Sequence, residues 1–86
     1  MTDLAIEHAL LAVLAAHSGD DTTAVSHIAR AQQQARAAAR RDRQLVEIAA
    51  LAINGDTTRA AGLALQHLVE YPGDAELLAR VSPTRG

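Results

Sequence analysis

The chain has 86 residues, enough for one small domain and too few for two separately packed cores. Of its apolar residues 20 are alanine, Phe, Trp and Cys are absent, and 22 larger apolar side chains remain, almost all Leu, Ile and Val. The scarcity of aromatic residues speaks against strands, while the net charge of −2, with eight Arg and no Lys, speaks against a strong positive field for nucleic acid.

The first predicted helix runs from Asp3 to Ser18 and carries Leu4, Leu10, Leu11, Leu14 and Ala15 in a wide apolar stripe. Gly19 fits a left-handed C-terminal cap, and Asp20, Asp21 or Thr22 can accept from the first free amides of the next helix. That second helix is expected over Thr22 to about Ala39, with Val25, Ile28, Ala31 and Ala35 on one face. A third covers about Asp42 to Asn54 and a fourth Thr57 to about Tyr71, joined by Gly55-Asp56, where the same cap logic applies. Tyr71-Pro72-Gly73 stops the fourth helix because proline disfavours helical geometry in the residue before it. Asp74 can then cap a short segment from Ala75 to Val81, and residues 82–86 read as a tail.

The boundary in the middle has no Gly or Pro, so one long helix from Thr22 to Asn54 is an alternative. A break near Arg40 to Asp42 is favoured. The apolar seam through Val25 and Ile28 loses its character there, and Arg40-Arg41-Asp42-Arg43 reads as a solvated corner with Asp42 suited to a first helical turn.

Several classes of chemistry are not supported. Without cysteine there is no disulfide framework, thiolate metal site or cysteine nucleophile. The N-terminus lacks the pattern of a secretory signal and no apolar run is long enough to span a bilayer, so no membrane partner and a cytoplasmic location are expected. His8, His17, His27 and His67 are the candidate ligands or bases. His8 and His17 lie about half a turn apart on one helix, and no histidine has a partner at a recognised ligand spacing, so no metal site and no cofactor are expected. Glu7, Glu47, Glu70 and Glu76 read as acids that solvate helix faces, and no pair is selected for catalysis.

Residues 30–43 carry a formal charge of +4 through Arg30, Arg36, Arg40, Arg41 and Arg43 against Asp42. Arg36, Arg40, Arg41 and Arg43 form a candidate patch for an acidic partner or for phosphates. The plainer reading is a solvated helix end whose cations complement the helix dipole, and no aromatic side chain lies near enough in sequence to stack on bases.

The two Gly-Asp marks are 36 residues apart, close to the period of about 34 residues of the tetratricopeptide helix-turn-helix repeat. The first unit supplies Leu11 and Ala12, then Ala24, Ile28 and Ala31, with Arg36 where the repeat's proline would fall. The second supplies Ala60 and Pro72, with Glu47-Ile48, Ala64 and His67 departing from the pattern. The chain therefore resembles a short tetratricopeptide-repeat protein over roughly residues 4 to 81, and the stretch from Arg41 to Ala75 is similar to the repeat region of larger bacterial members.

The resemblance implies an all-α, right-handed array of antiparallel hairpins, four helices plus a short C-terminal one, within a single domain over residues 1–81. It implies a non-enzymatic module that binds a protein or peptide. In that family the first helices line the concave surface. The matching positions are Ala9, Val13, Ala16 and His17 in the first unit, and Asp42, Leu45, Ala49, Ala52 and Ile53 in the second. The apolar ones could equally be covered by the fifth helix or by a second subunit. Two repeats fall short of the three or so that stabilise a solenoid, so a homodimer is expected. The rivals are a small regulator binding nucleic acid or an acidic partner through Arg30 to Arg43, and a dimeric helical enzyme with a site between subunits.

Overall fold

The computed structural model describes residues 4–81. They form five α-helices: α1 (Leu4–His17), α2 (Asp21–Ala35), α3 (Arg40–Ile53), α4 (Thr57–Glu70) and α5 (Ala75–Val81), with a 3₁₀ turn at Pro72–Asp74 before the last. No strand occurs among the described residues, and the chain is an all-α helical array. The expected start at Asp3 and the tail over 82–86 lie outside the described residues.

Both Gly-Asp sites make the same joint. Gly19 and Gly55 adopt φ of +81° and +82°, a left-handed conformation that side chains with a Cβ resist. The Gly19 amide donates to the Ala16 carbonyl at 3.1 Å and the Asp20 amide to Ala15 at 2.8 Å; Gly55 donates to Ala52 at 3.1 Å and Asp56 to Leu51 at 2.9 Å. This is the paired bonding of a Schellman motif, written twice. Each aspartate then opens the following helix. Asp20 accepts from the Thr23 amide at 3.1 Å and from its hydroxyl at 2.6 Å, and Asp56 accepts from the Arg59 amide at 3.3 Å. One residue thus closes one helix and caps the next, which holds each hairpin connection to three residues.

Residues 21–53 form two helices, and the break falls earlier than expected. It occupies residues 36–39, an Arg followed by three alanines, so Arg40 to Asp42 is the first turn of α3 and not a corner. Ala39 is extended, at φ −66° and ψ 160°, and starts α3 with no side-chain cap, its carbonyl accepting from the Arg43 amide at 3.1 Å. Sequence propensity does not ask for this turn. Burial does: Ala31 and Ala35 at the end of α2 and Leu45 and Val46 in α3 enter one core, and a straight helix could not bring both ends to it.

α1 packs on α2 and α3, α3 packs also on α2 and α4, and α5 lies against α1 and α3. The domain measures 33 × 32 × 18 Å, so its short dimension is about two helices thick at a helix diameter of about 10 Å. The core joins Ala5, Ile6, Ala9 and Val13 of α1 to Leu45, Val46, Ile48 and Ala49 of α3, and Leu78 and Val81 of α5 close it. Ala12, Ala24 and Ala60 are essentially inaccessible, as close helix crossings require of small residues.

Two substitutions test this account by urea denaturation. Ala60→Leu forces a larger side chain into a closed crossing and is expected to cost about 1–3 kcal/mol. Gly19→Ala meets no neighbouring atom, so its expected loss of about 1 kcal/mol comes from backbone conformation alone. An unchanged midpoint for Gly19→Ala would show that the joint tolerates a Cβ.

Candidate functional site

The most organised polar cluster gathers around Asp74, in the 3₁₀ turn between α4 and α5. Its carboxylate accepts two bonds from the Arg41 guanidinium, Nε to Oδ2 at 2.8 Å and Nη2 to Oδ1 at 2.9 Å, the fork geometry that arginine and a carboxylate share. Asp74 Oδ2 also lies 2.8 Å from His67 Nε2. A carboxylate only accepts, so Nε2 carries the proton and donates.

The other ring nitrogen, Nδ1, lies 2.7 Å from the Gln44 side-chain amide. The amide atom facing the ring is Oε1, an acceptor; turned over, the same amide presents its NH2 and donates to Nδ1. Tyr71 packs against the imidazole at 4.8 Å between ring centres, tilted by 36°. His67 has no accessible surface and ranks with Leu45, Ile48, Val46 and Val81 among the largest fully enclosed side chains. Arg41 further meets Asp42 at 3.4 Å.

This geometry corrects three expectations. His67, for which the sequence offers no partner, is a core residue with both nitrogens engaged. Asp74 directs its carboxylate to Arg41 and His67 instead of capping α5. Arg41 belongs to the same cluster, and Arg40 donates to both oxygens of Glu70 at 3.0 Å, so half of the expected basic patch is matched by carboxylates. Arg36 and Arg43 remain exposed. Arg43 lines a shallow depression of about 310 Å³ with Arg40, Gln44, Glu47 and Leu63, a mixed-charge surface with no enclosed chemistry.

The Arg41 guanidinium, assisted by the His67 hydrogen bond, holds the Asp74 carboxyl below the usual carboxylate range against the opposing effect of burial. Asp20 is also lowered, by the Thr23 hydroxyl and amide that bond its ionised form. Every buried side-chain nitrogen and oxygen among the described residues has a hydrogen-bond partner.

A second histidine contact crosses the first hairpin. His8 of α1 and His27 of α2, both half-buried, stack at 5.3 Å between ring centres with planes 27° apart, and their Nδ1 atoms are 3.1 Å apart. His17 is exposed at the end of α1. Among the described residues no group of three or more His, Asp or Glu could hold a metal ion, and no helix is long and apolar enough to cross a membrane.

The nine positions expected to line a concave surface divide. Ala9, Val13, Leu45 and Ala49 lie inside the core, where α5 closes over α1 and α3, and they present no surface. Asp42 is half-buried and bonded to Arg41; Ala16, Ala52 and Ile53 are half-buried, and His17 is exposed. Ala9, Val13, Leu45 and Ala49 are buried within the chain's own core, to which α5 contributes Leu78 and Val81.

Elsewhere large apolar side chains stay exposed: Leu11 and Leu14 on α1, Val25 on α2, Leu65 and Val69 on α4, with Leu14 at 64% and Val69 at 83% of full exposure. No protein-family model matches the sequence, and neither the curated proteins nor the solved structures yield a match.

The Asp74 cluster makes a signed prediction. Asp74→Ala leaves the fully buried His67 Nε2 without its acceptor and is expected to cost about 1–3 kcal/mol in urea unfolding. Because folding lowers the Asp74 pKa, its contribution is complete above the unfolded carboxyl value of about 3.9 and is lost as pH falls through the lower folded value. Asp74→Asn is therefore expected to remove part of the decline in stability below about pH 4. Equal slopes for wild type and variant in a series of urea midpoints would refute this.

Proposed function

We propose that the chain is a tetratricopeptide-like, non-enzymatic module that binds a protein partner. The observation that carries this reading is the pair of hairpins with closely matched helices, 36 residues out of phase, whose Schellman joints and aspartate caps recur at equivalent positions and whose first helices α1 and α3 lie in contact. Small residues at Ala12, Ala24, Ala31 and Ala60 permit that stacking. The polar clusters support the same reading. The best-ordered histidine and carboxylate are sealed in the interior, where they hold helices together and cannot reach a substrate.

Because the middle of the first-helix face is buried in the core, partner contacts fall to the rim, where Ala16 and His17 end α1 and Ala52 and Ile53 end α3. Recognition there consists of shape and modest apolar burial, with His17 as a polar contact. The exposed apolar residues of α1 and α4 supply surface for a second copy of the chain, and the homodimer belongs to this proposal.

A photo-crosslinking residue placed at His17 or Ile53 in the native host is expected to capture a defined protein that the same residue at Gln33, on the exposed side of α2, does not. Equal capture from all three positions would defeat the rim assignment. Light scattering at micromolar concentration is expected to show a dimer that Leu65→Glu combined with Val69→Glu converts to monomer. A wild-type monomer under those conditions would remove the dimer from the reading.

A further inference from the structure

The contact between His8 and His27 brings two imidazole nitrogens to a separation that one metal ion could span after a small turn of each ring. Zinc and its neighbours bind imidazole nitrogen at about 2.0–2.1 Å, which sets two nitrogens on one ion about 2.9 Å apart at a right angle and about 3.4 Å apart at a tetrahedral angle. The two Nδ1 atoms are 3.1 Å apart, between those limits. They come from different helices, and the α1–α2 hairpin that carries them is fixed by its three-residue joint, so little has to be ordered when an ion arrives. Both residues are half-buried and so retain contact with solvent. Neither ring has another side-chain hydrogen-bond or ring partner among the described residues.

We propose that His8 and His27 form a two-imidazole site for an exchangeable first-row transition-metal dication, of which Zn²⁺ and Ni²⁺ are the test cases. In the metal-free pair one Nδ1–H donates to the other Nδ1. Binding moves that proton to the Nε2 of its own ring, frees both Nδ1 lone pairs for the metal, and releases no net proton when both rings start neutral. Since no cluster of three ligands exists among the described residues, the remaining coordination positions belong to water or to an incoming ligand. That arrangement separates the site from closed structural zinc centres, which take all four ligands from protein. Imidazole ligands favour Zn²⁺ and Ni²⁺ over Mg²⁺, which selects oxygen.

Isothermal titration of the full chain with Zn²⁺ and, separately, Ni²⁺ is expected to saturate at one ion per chain, with no heat from Mg²⁺. Either His8→Gln or His27→Gln is expected to weaken binding by about tenfold or more, whereas His17→Gln leaves it unchanged. Circular dichroism of each variant registers whether the helices persist. Wild-type protein supplies a measurement that needs no variant: on adding Zn²⁺ the imidazole resonances of His8 and His27 are expected to move together while those of His67 stay in place. No saturable binding by wild type, binding that survives both substitutions, or imidazole shifts confined to His17 would each overturn the proposal.

Discussion

One carboxylate holds together the end of the domain where three elements meet. Asp74 takes both arms of the Arg41 fork from α3 and the imidazole proton of His67 from α4, and it stands at the entrance to α5. The dependence runs outward from there. A seven-residue helix has little stability alone, because nucleating a helix costs more than so few turns return. α5 holds its place through Leu78 and Val81, which enter the core, and through the anchored residue immediately before it. Ala9, Val13, Leu45 and Ala49 are buried in the same core. A chain without Phe or Trp has few side chains large enough to close such a junction, and an imidazole fully bonded at both nitrogens fills the volume that an aromatic ring would occupy elsewhere.

The parts of the fold legible in the sequence are those governed by local stereochemistry. Gly19 and Gly55 announced left-handed caps, and the aspartates after them announced new helices, since only nearby backbone groups are involved. The break between α2 and α3 lies earlier than the local pattern predicts, for the complementary reason. Ala37, Ala38 and Ala39 are willing helix formers, and they leave the helix because the residues on either side have to reach the same core. No local property of alanine encodes that decision.

The polar cluster illustrates a third case. His67 sits in a stripe with Ala60, Ala64 and Tyr71, and a polar residue on an otherwise buried face was the available signal. Its partners Gln44 and Asp74 come from opposite directions in the chain and could not be chosen without the packing of α3 on α4. The meeting of His8 with His27 is likewise a matter of hairpin register. It becomes readable only once Asp20 is known to serve two helices, because that choice sets the length of the turn and so decides which residues face each other across it.

That double service at Asp20 and Asp56 has a consequence for how such a protein can change over time. Each hairpin carries its own joint within three consecutive residues, independent of what the helices bury, so the joint travels with any duplicated or recombined segment. Helix faces can then exchange bulky residues for alanine while the hairpin geometry is kept.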